Sequence, residues 1–353
     1  MSLSALDFPT TDPTPIFEVF RNGYATDLLT VAAIDFKLFD RLDQAKKSFE
    51  QLAAELQLAP RALNVLLTAI RAMGLVEQND DATYSLSAGA AEHLVSGKYF
   101  EVGGYIGLVS EAPSVRAMAE RLCTNKPAEN RADDTGAAFI YREGLDSAMD
   151  QADSARRLTM ALAGRAKNVA PYLAANVDFS QTKLLLDVAG GTGIYAIACL
   201  QKYPHLRAIV WDRPEVLKIA HEMALAYGVA DRMEFQAGDM FTDPVPGGVD
   251  CMLLSNVLHD WDVPENLKLL QRCYEALPQG GKLLIHDVFL NDDLGGPLPL
   301  ALYSAALFTL TEGRAYSGLE YRTWLQQVGF EPTTEIIPTL VHCGVLSATK
   351  IKM

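Results

Sequence analysis

LLLDVAGGTGIYAIACL, residues 184–200, decides the fold by its order of strand, glycine turn and helix. Leu184, Leu185 and Leu186 form a short apolar run ended by Asp187 and Val188. Gly190, Gly191, Thr192 and Gly193 follow, then apolar residues at helical spacing. Such a unit opens a doubly wound α/β domain. Its glycines let the backbone approach a ligand, and the helix N-terminus offers unpaired N–H groups to an anionic group. The chain beyond it alternates regularly. Strand Ala208–Trp211 ends at Asp212, strand Met233–Gln236 at Gly238–Asp239–Met240, strand Cys251–Ser255 runs toward LHDW, and strand Lys282–His286 ends at Asp287. Helices separate them. The last strands, Thr333–Ile337 and Gly344–Lys350, are expected to close the chain as an antiparallel hairpin.

Upstream the pattern is helical. Ser48 can cap a short helix, Pro60 suits a first helical position, and Leu63, Leu66, Leu67 and Ile70 share a face. Two short strands around Asn79, Asp80 and Asp81 complete a winged-helix pattern. Residues 16–100 carry eight Lys/Arg against eleven Asp/Glu, so the module is acidic and a poor phosphate binder. A packing or dimerisation role is expected instead. Boundaries follow as a module over 1–100 and a second domain over 101–353, with a helical linker over 101–180.

Composition is that of an ordinary globular protein: 353 residues, 49% hydrophobic and 21% charged. The formal charge of −14 disfavours nucleic acid and anionic membrane surfaces as partners. Five cysteines without CxxC spacing suggest neither zinc nor a disulfide framework, so no metal is expected. With no leader pattern and no span-length apolar run, a soluble, cytoplasmic protein is expected.

The glycine turn alone leaves the ligand open. Gly191, Gly193 and Ala196 satisfy the dinucleotide fingerprint, and Asp212 is spaced to hold a ribose, from NAD or from S-adenosylmethionine (SAM) alike. Four features favour SAM: Asp187 before the turn, Asp239–Met240 after the third strand, His259 after the fourth, and the closing hairpin. Together they resemble class I SAM-dependent methyltransferases. More narrowly, DVAGGTG, VWDRPEV, GDMF, LHDW and GGKLLIHDVFL, in that order, resemble the motifs of the small-molecule O-methyltransferase family of plant caffeate and isoflavone, acetylserotonin and bacterial natural-product enzymes. The resemblance implies a Rossmann-like methyltransferase domain preceded by a mainly α winged-helix dimerisation domain, and hence a homodimer. It also implies that Asp187, Gly190, Gly191 and Gly193 shape the methionine end of the SAM site, that Asp212 takes the ribose, and that Asp239 and Met240 hold the adenine. Ser255 stands where plant members have a cofactor-contacting lysine. His259 matches the general base, and Asp287 the glutamate that orients it.

An imidazole of ordinary pKa near 6.5 can accept a proton from a phenol as charge develops on oxygen, given a carboxylate behind it to fix the tautomer. Phe139, Met149, Met160, Trp261, Leu302, Tyr303 and Leu307 would line a pocket for an aromatic or polyketide-like acceptor. One departure from the family is GRAYS at 313–317, where Ala315 replaces a second carboxylate. It leaves C-methylation, or a SAM-using hydroxylation or decarboxylation, as the alternative reaction. A SAM-sensing winged-helix regulator and an NAD dehydrogenase are the remaining readings.

Overall fold

The computed structural model describes residues 3–126 and 152–351. These fall into two compact units, one holding 16–126 with 290–317, the other 3–15, 152–289 and 318–351. The division differs from the boundary expected near residue 100. The reason lies in the helix Leu298–Leu310, whose Ala301, Ala305 and Phe308 sit in the core of the N-terminal unit despite their distance in sequence.

The N-terminal unit begins with α1 (Thr14–Arg21) and α2 (Gly23–Thr30), followed by a π-helical turn over Val31–Asp35 and α3 (Leu38–Gln44). α4 (Phe49–Leu56) starts at a full capping box: Gln51 N–H donates to Ser48 Oγ and Ser48 N–H to Gln51 Oε1. α5 (Pro60–Ala72) has Pro60 in its first turn and buries Leu63, Leu66, Leu67 and Ile70. Strands β1 (Val76–Gln78) and β2 (Tyr84–Leu86) pair antiparallel, giving the winged-helix pattern read from the sequence. Then come α6 (Ala88–His93), α7 (Gly103–Ile106) and α8 (Pro113–Thr124). Both arginines of α5 are engaged within the unit. Arg61 donates to Asn125, and Arg71 to the backbone and carboxylate of Asp293. Neither is presented for phosphate contact.

The other unit carries α9 (Ala152–Asn176) and then the alternation opened by β3 (Leu184–Val188): α10 (Ile194–Lys202), β4 (Arg207–Asp212), α11 (Pro214–Ala226), β5 (Met233–Ala237), β6 (Cys251–Ser255), α12 (Val263–Ala276) and β7 (Lys282–Leu290). After α13 (Leu298–Leu310) and the two-residue β8 (Tyr316–Ser317), α14 (Gly318–Val328), β9 (Phe330–Pro338) and β10 (Cys343–Lys350) end the chain. The sheet order is β5-β4-β3-β6-β7-β10-β9. Pairing is parallel from β5 to β7 and antiparallel through β10 and β9. Leu185, Leu186 and Val188 are buried, as a strand covered on both faces requires. From β3 the chain winds outward to β5, then returns to lay β6 on the other side of β3. Ligands of such sheets bind at a reversal of this kind, here at the carboxyl ends of β3 and β6.

Candidate active site

The carboxyl ends of the parallel strands gather most of the residues singled out in the sequence. At the end of β3, Asp187 is fully buried, and among the described residues neither carboxylate oxygen accepts a formed hydrogen bond. Burial, then the nearby Asp212, raise its pKa to about 7, offset only in part by the Ala196 amide at the start of α10. An unpartnered buried carboxylate costs several kcal/mol unless something pairs with it. The next turn is shaped to this side chain. A Cβ on Gly190 would stand 2.6 Å from Asp187 Cγ, which only glycine avoids. Ala189, where the family pattern has a glycine, adopts φ 51°, a left-handed conformation held at some strain for a residue with a Cβ.

Asp212, at the end of β4, accepts the Gly191 N–H at 2.8 Å and the Arg213 N–H at 2.7 Å. Burial raises its pKa, and these two donors hold it back. Beyond β5, Asp239 accepts the Phe241 N–H and pairs with Arg213 at 3.3 Å. The Met240 carbonyl is fixed by Arg272 Nε. Trp261 meets Phe241 edge to face, with ring centroids 4.6 Å apart.

Ser255 ends β6 and pairs in register with His286. Its hydroxyl lies 2.8 Å from His286 Nδ1, while His286 Nε2 lies 3.1 Å from Thr339 Oγ1. Burial, followed by the charge of Arg165, pushes His286 down to about 3, so it stays neutral. Asn256 follows in a left-handed conformation, φ 56°, and accepts from Arg165 of α9 at 2.8 Å. The short turn Leu258–Asp260 then delivers His259.

His259 is buried, with Nδ1 2.5 Å from Asp287 Oδ1. Asp287, also fully enclosed, accepts in addition the Val288 N–H at 2.8 Å and the Tyr321 hydroxyl at 3.2 Å. The shorter aspartate therefore reaches the ring without its longer homologue. Burial lowers the His259 pKa, but Asp287 and Asp260 beside it outweigh that, and the net direction is upward. A histidine held at Nδ1 by a carboxylate keeps Nε2 as its reactive edge, which is a proton-accepting arrangement.

The expected acceptor wall is less gathered. Phe139 and Met149 lie outside the described residues. Met160, on α9, is 39% exposed. Leu302, Tyr303 and Leu307 belong to α13 and so to the N-terminal unit, where the Arg21 guanidinium stacks 3.7 Å from the Tyr303 ring centroid. At the departure from the family, Ala315 is buried, its N–H donates to Ser304 Oγ, and Arg314 stacks on Tyr316. Three polar residues of this region escaped the sequence reading: Tyr321, Arg165 and Asp260. Only Asp260 carried a signal, its place in LHDW.

Family models decide the relationship. A model described as an O-methyltransferase domain matches residues 138–331, and one described as an O-methyltransferase dimerisation domain matches residues 21–96. The chain belongs to the O-methyltransferase family. Within it, the 3-hydroxy-5-methyl-1-naphthoate 3-O-methyltransferase of Streptomyces sahachiroi is 36% identical over 319 residues, 90% of this chain and 89% of that enzyme. The L-tyrosine C(3)-methyltransferase of Streptomyces lavendulae is 30% identical over 329 residues, covering 90% and 88%. Among solved structures, an O-methyltransferase family 2 protein from Planctomyces limnophilus, in complex with apigenin, shares 45% identity at a TM-score of 0.89, covering 99% of both chains. The expected class I methyltransferase fold with its N-terminal dimerisation domain is thus the fold of this O-methyltransferase.

Proposed function

We propose that this O-methyltransferase moves a methyl group from SAM to a hydroxyl of an aromatic or polyketide-like small molecule, with His259 as general base. The observation that carries the reading is the His259–Asp287 pair, 2.5 Å apart and buried at the carboxyl edge of the sheet. SAM supplies a methyl already activated by a positive sulfur. The protein's own task is to align the partners, exclude water and remove one proton. Asp287 holds the neutral ring with its proton on Nδ1, which leaves Nε2 to take the hydroxyl proton; the same carboxylate then stabilises the imidazolium. Tyr321 and the Val288 N–H keep Asp287 itself in place.

The residues present fit the cofactor. Asp187, buried and without a formed hydrogen bond from the described residues, suits its ammonium group. Arg165 of α9, bonded to Asn256 just past β6, carries the charge that suits its carboxylate. Asp212 suits the ribose hydroxyls, and Asp239 with Met240 the adenine. Gly191 borders open space, whereas Gly190 and Gly193 spare close approaches to Asp187 and to Met233, which keeps the turn beside the methionine end in shape; the Ser255 hydroxyl, shared with His286, is a weaker candidate. Trp261 and Met160 are the acceptor contacts of this proposal; an acceptor role for Leu302, Tyr303 and Leu307 of the N-terminal unit, and for Phe139 and Met149 outside the described residues, stays the expectation from the sequence. Two copies would associate through the N-terminal unit, whose α1 exposes Ile16, Val19 and Phe20.

A relative named as a C-methyltransferase, together with Ala315, keeps carbon methylation as the second reading. Incubation with methyl-labelled SAM and a panel of hydroxynaphthoates, flavones and simple phenols separates the two. Release of S-adenosylhomocysteine with the label on oxygen supports O-methylation. Label on carbon supports the second reading, and no release with any acceptor counts against both.

A further inference from the structure

His259 has a carboxylate near each ring nitrogen. Asp287 Oδ1 stands 2.5 Å from Nδ1, and Asp260 Oδ1 stands 3.6 Å from Nε2. The two differ in setting. Asp287 comes from β7 and is enclosed, whereas Asp260 belongs to the same short turn as His259 and its side chain is 27% exposed.

We propose that Asp260 is a positioning residue of the base, its carboxylate holding the Nε2 edge of the His259 ring and favouring the ring once protonated. The inference rests on His259 being the base. When the acceptor hydroxyl gives up its proton, the O–H bond breaks, the proton bonds to Nε2, and the electron pair stays on oxygen for the new bond to carbon. The resulting imidazolium then has a carboxylate at both nitrogens. A charge at this distance matters: an opposite charge within about 4–6 Å shifts a pKa by roughly one to three units. Among the described residues, the charged groups acting on the ring include Asp287 from β7, with Tyr321 of α14 donating to it, Asp260 from its own turn, and Arg165 of α9 with the opposing sign. Burial raises Asp260 itself to about 6, so at neutral pH it is still mainly the carboxylate the arrangement requires.

The test is an NMR titration of the full-length protein labelled at its six histidines, with the His259 signal assigned by its loss in His259→Asn. Asp260→Asn is expected to lower the His259 midpoint by about one pH unit, with thermal midpoint and S-adenosylhomocysteine affinity near wild type. Asp260→Glu, which keeps the charge, should restore most of the shift. Asp260→Ser serves as a second neutral variant if Asp260→Asn folds poorly. An unmoved midpoint in the neutral variants, or an equal fall in Asp260→Glu, overturns the proposal. The acid limb of kcat/KM separates it from the parent reading. A midpoint that moves together with the limb supports both, while a midpoint that moves without the limb supports the role of Asp260 and rejects His259 as the base.

Discussion

Asp187 and Asp287 are both aspartates, equally buried, one near the end of β3 and the other within β7 of the same sheet, and their surroundings are opposite. Asp287 accepts from His259, from the Val288 N–H and from the Tyr321 hydroxyl. Asp187 accepts no formed hydrogen bond from the described residues, the Ala196 amide only easing its charge, and its pKa rises to about 7. A carboxylate supplied with internal donors is an orienting group, complete in the chain itself. One buried without donors lowers the stability of the fold at neutral pH and gains its partner only from a bound cation. The first arrangement fits a catalytic pair that must hold its geometry in every turnover. The second fits a cofactor site, where the ligand's charge is part of the binding energy.

Variants can break that contrast. The largest effect is expected from His259→Ala, which should lower turnover on a phenol of ordinary pKa by about 10²–10⁴-fold. Calorimetry should show its S-adenosylhomocysteine affinity near wild type. Asp187→Asn should do the reverse, weakening the cofactor by roughly tenfold to a hundredfold, as loss of a charge-assisted contact does. The same variant should stabilise the ligand-free protein at pH 8 by on the order of 2 kcal/mol. The sign follows from the raised pKa. Native Asp187 binds its proton more tightly than the unfolded chain does, so its contribution is fully present below about pH 4 and is lost as pH rises through about 7. Thermal melts of both proteins between pH 5 and 8 should therefore diverge with rising pH; parallel curves would mean that Asp187 is paired in solution. Asp287→Asn keeps the shape but removes the charge, and about a tenfold to hundredfold loss in kcat with little change in cofactor affinity is expected. Tyr321→Phe, which removes one of three donors, should cost only about threefold to tenfold. If it costs as much as Asp287→Asn, the tyrosine is more than a brace.

The alternation of strand and helix was legible because β3 is apolar on both faces and ends in glycines, a pattern no surface helix produces. The closing hairpin and the acidic winged helix were legible for similar reasons of period and charge. The division into units was not. The helix Leu298–Leu310 is apolar all round, and nothing local tells which core will take Ala301, Ala305 and Phe308. The same limit hid the supports of the site. Tyr321 lies 34 positions from Asp287, and Arg165 lies 91 from Asn256. Each is a lone residue whose partner is set by the fold rather than by spacing. Ala189 was visible as a departure from the glycine pattern, but its left-handed backbone was not, since sequence alone does not say that the turn keeps its shape around a Cβ.

The pH dependence of kcat/KM on an accepted phenol, measured at saturating SAM for wild type and His259→Ala, tests the central claim most directly. The account predicts a wild-type rate that falls on the acid side with a single ionisation, and a residual rate in His259→Ala from which that limb is missing. An unchanged limb in His259→Ala, or a flat wild-type profile, would contradict it.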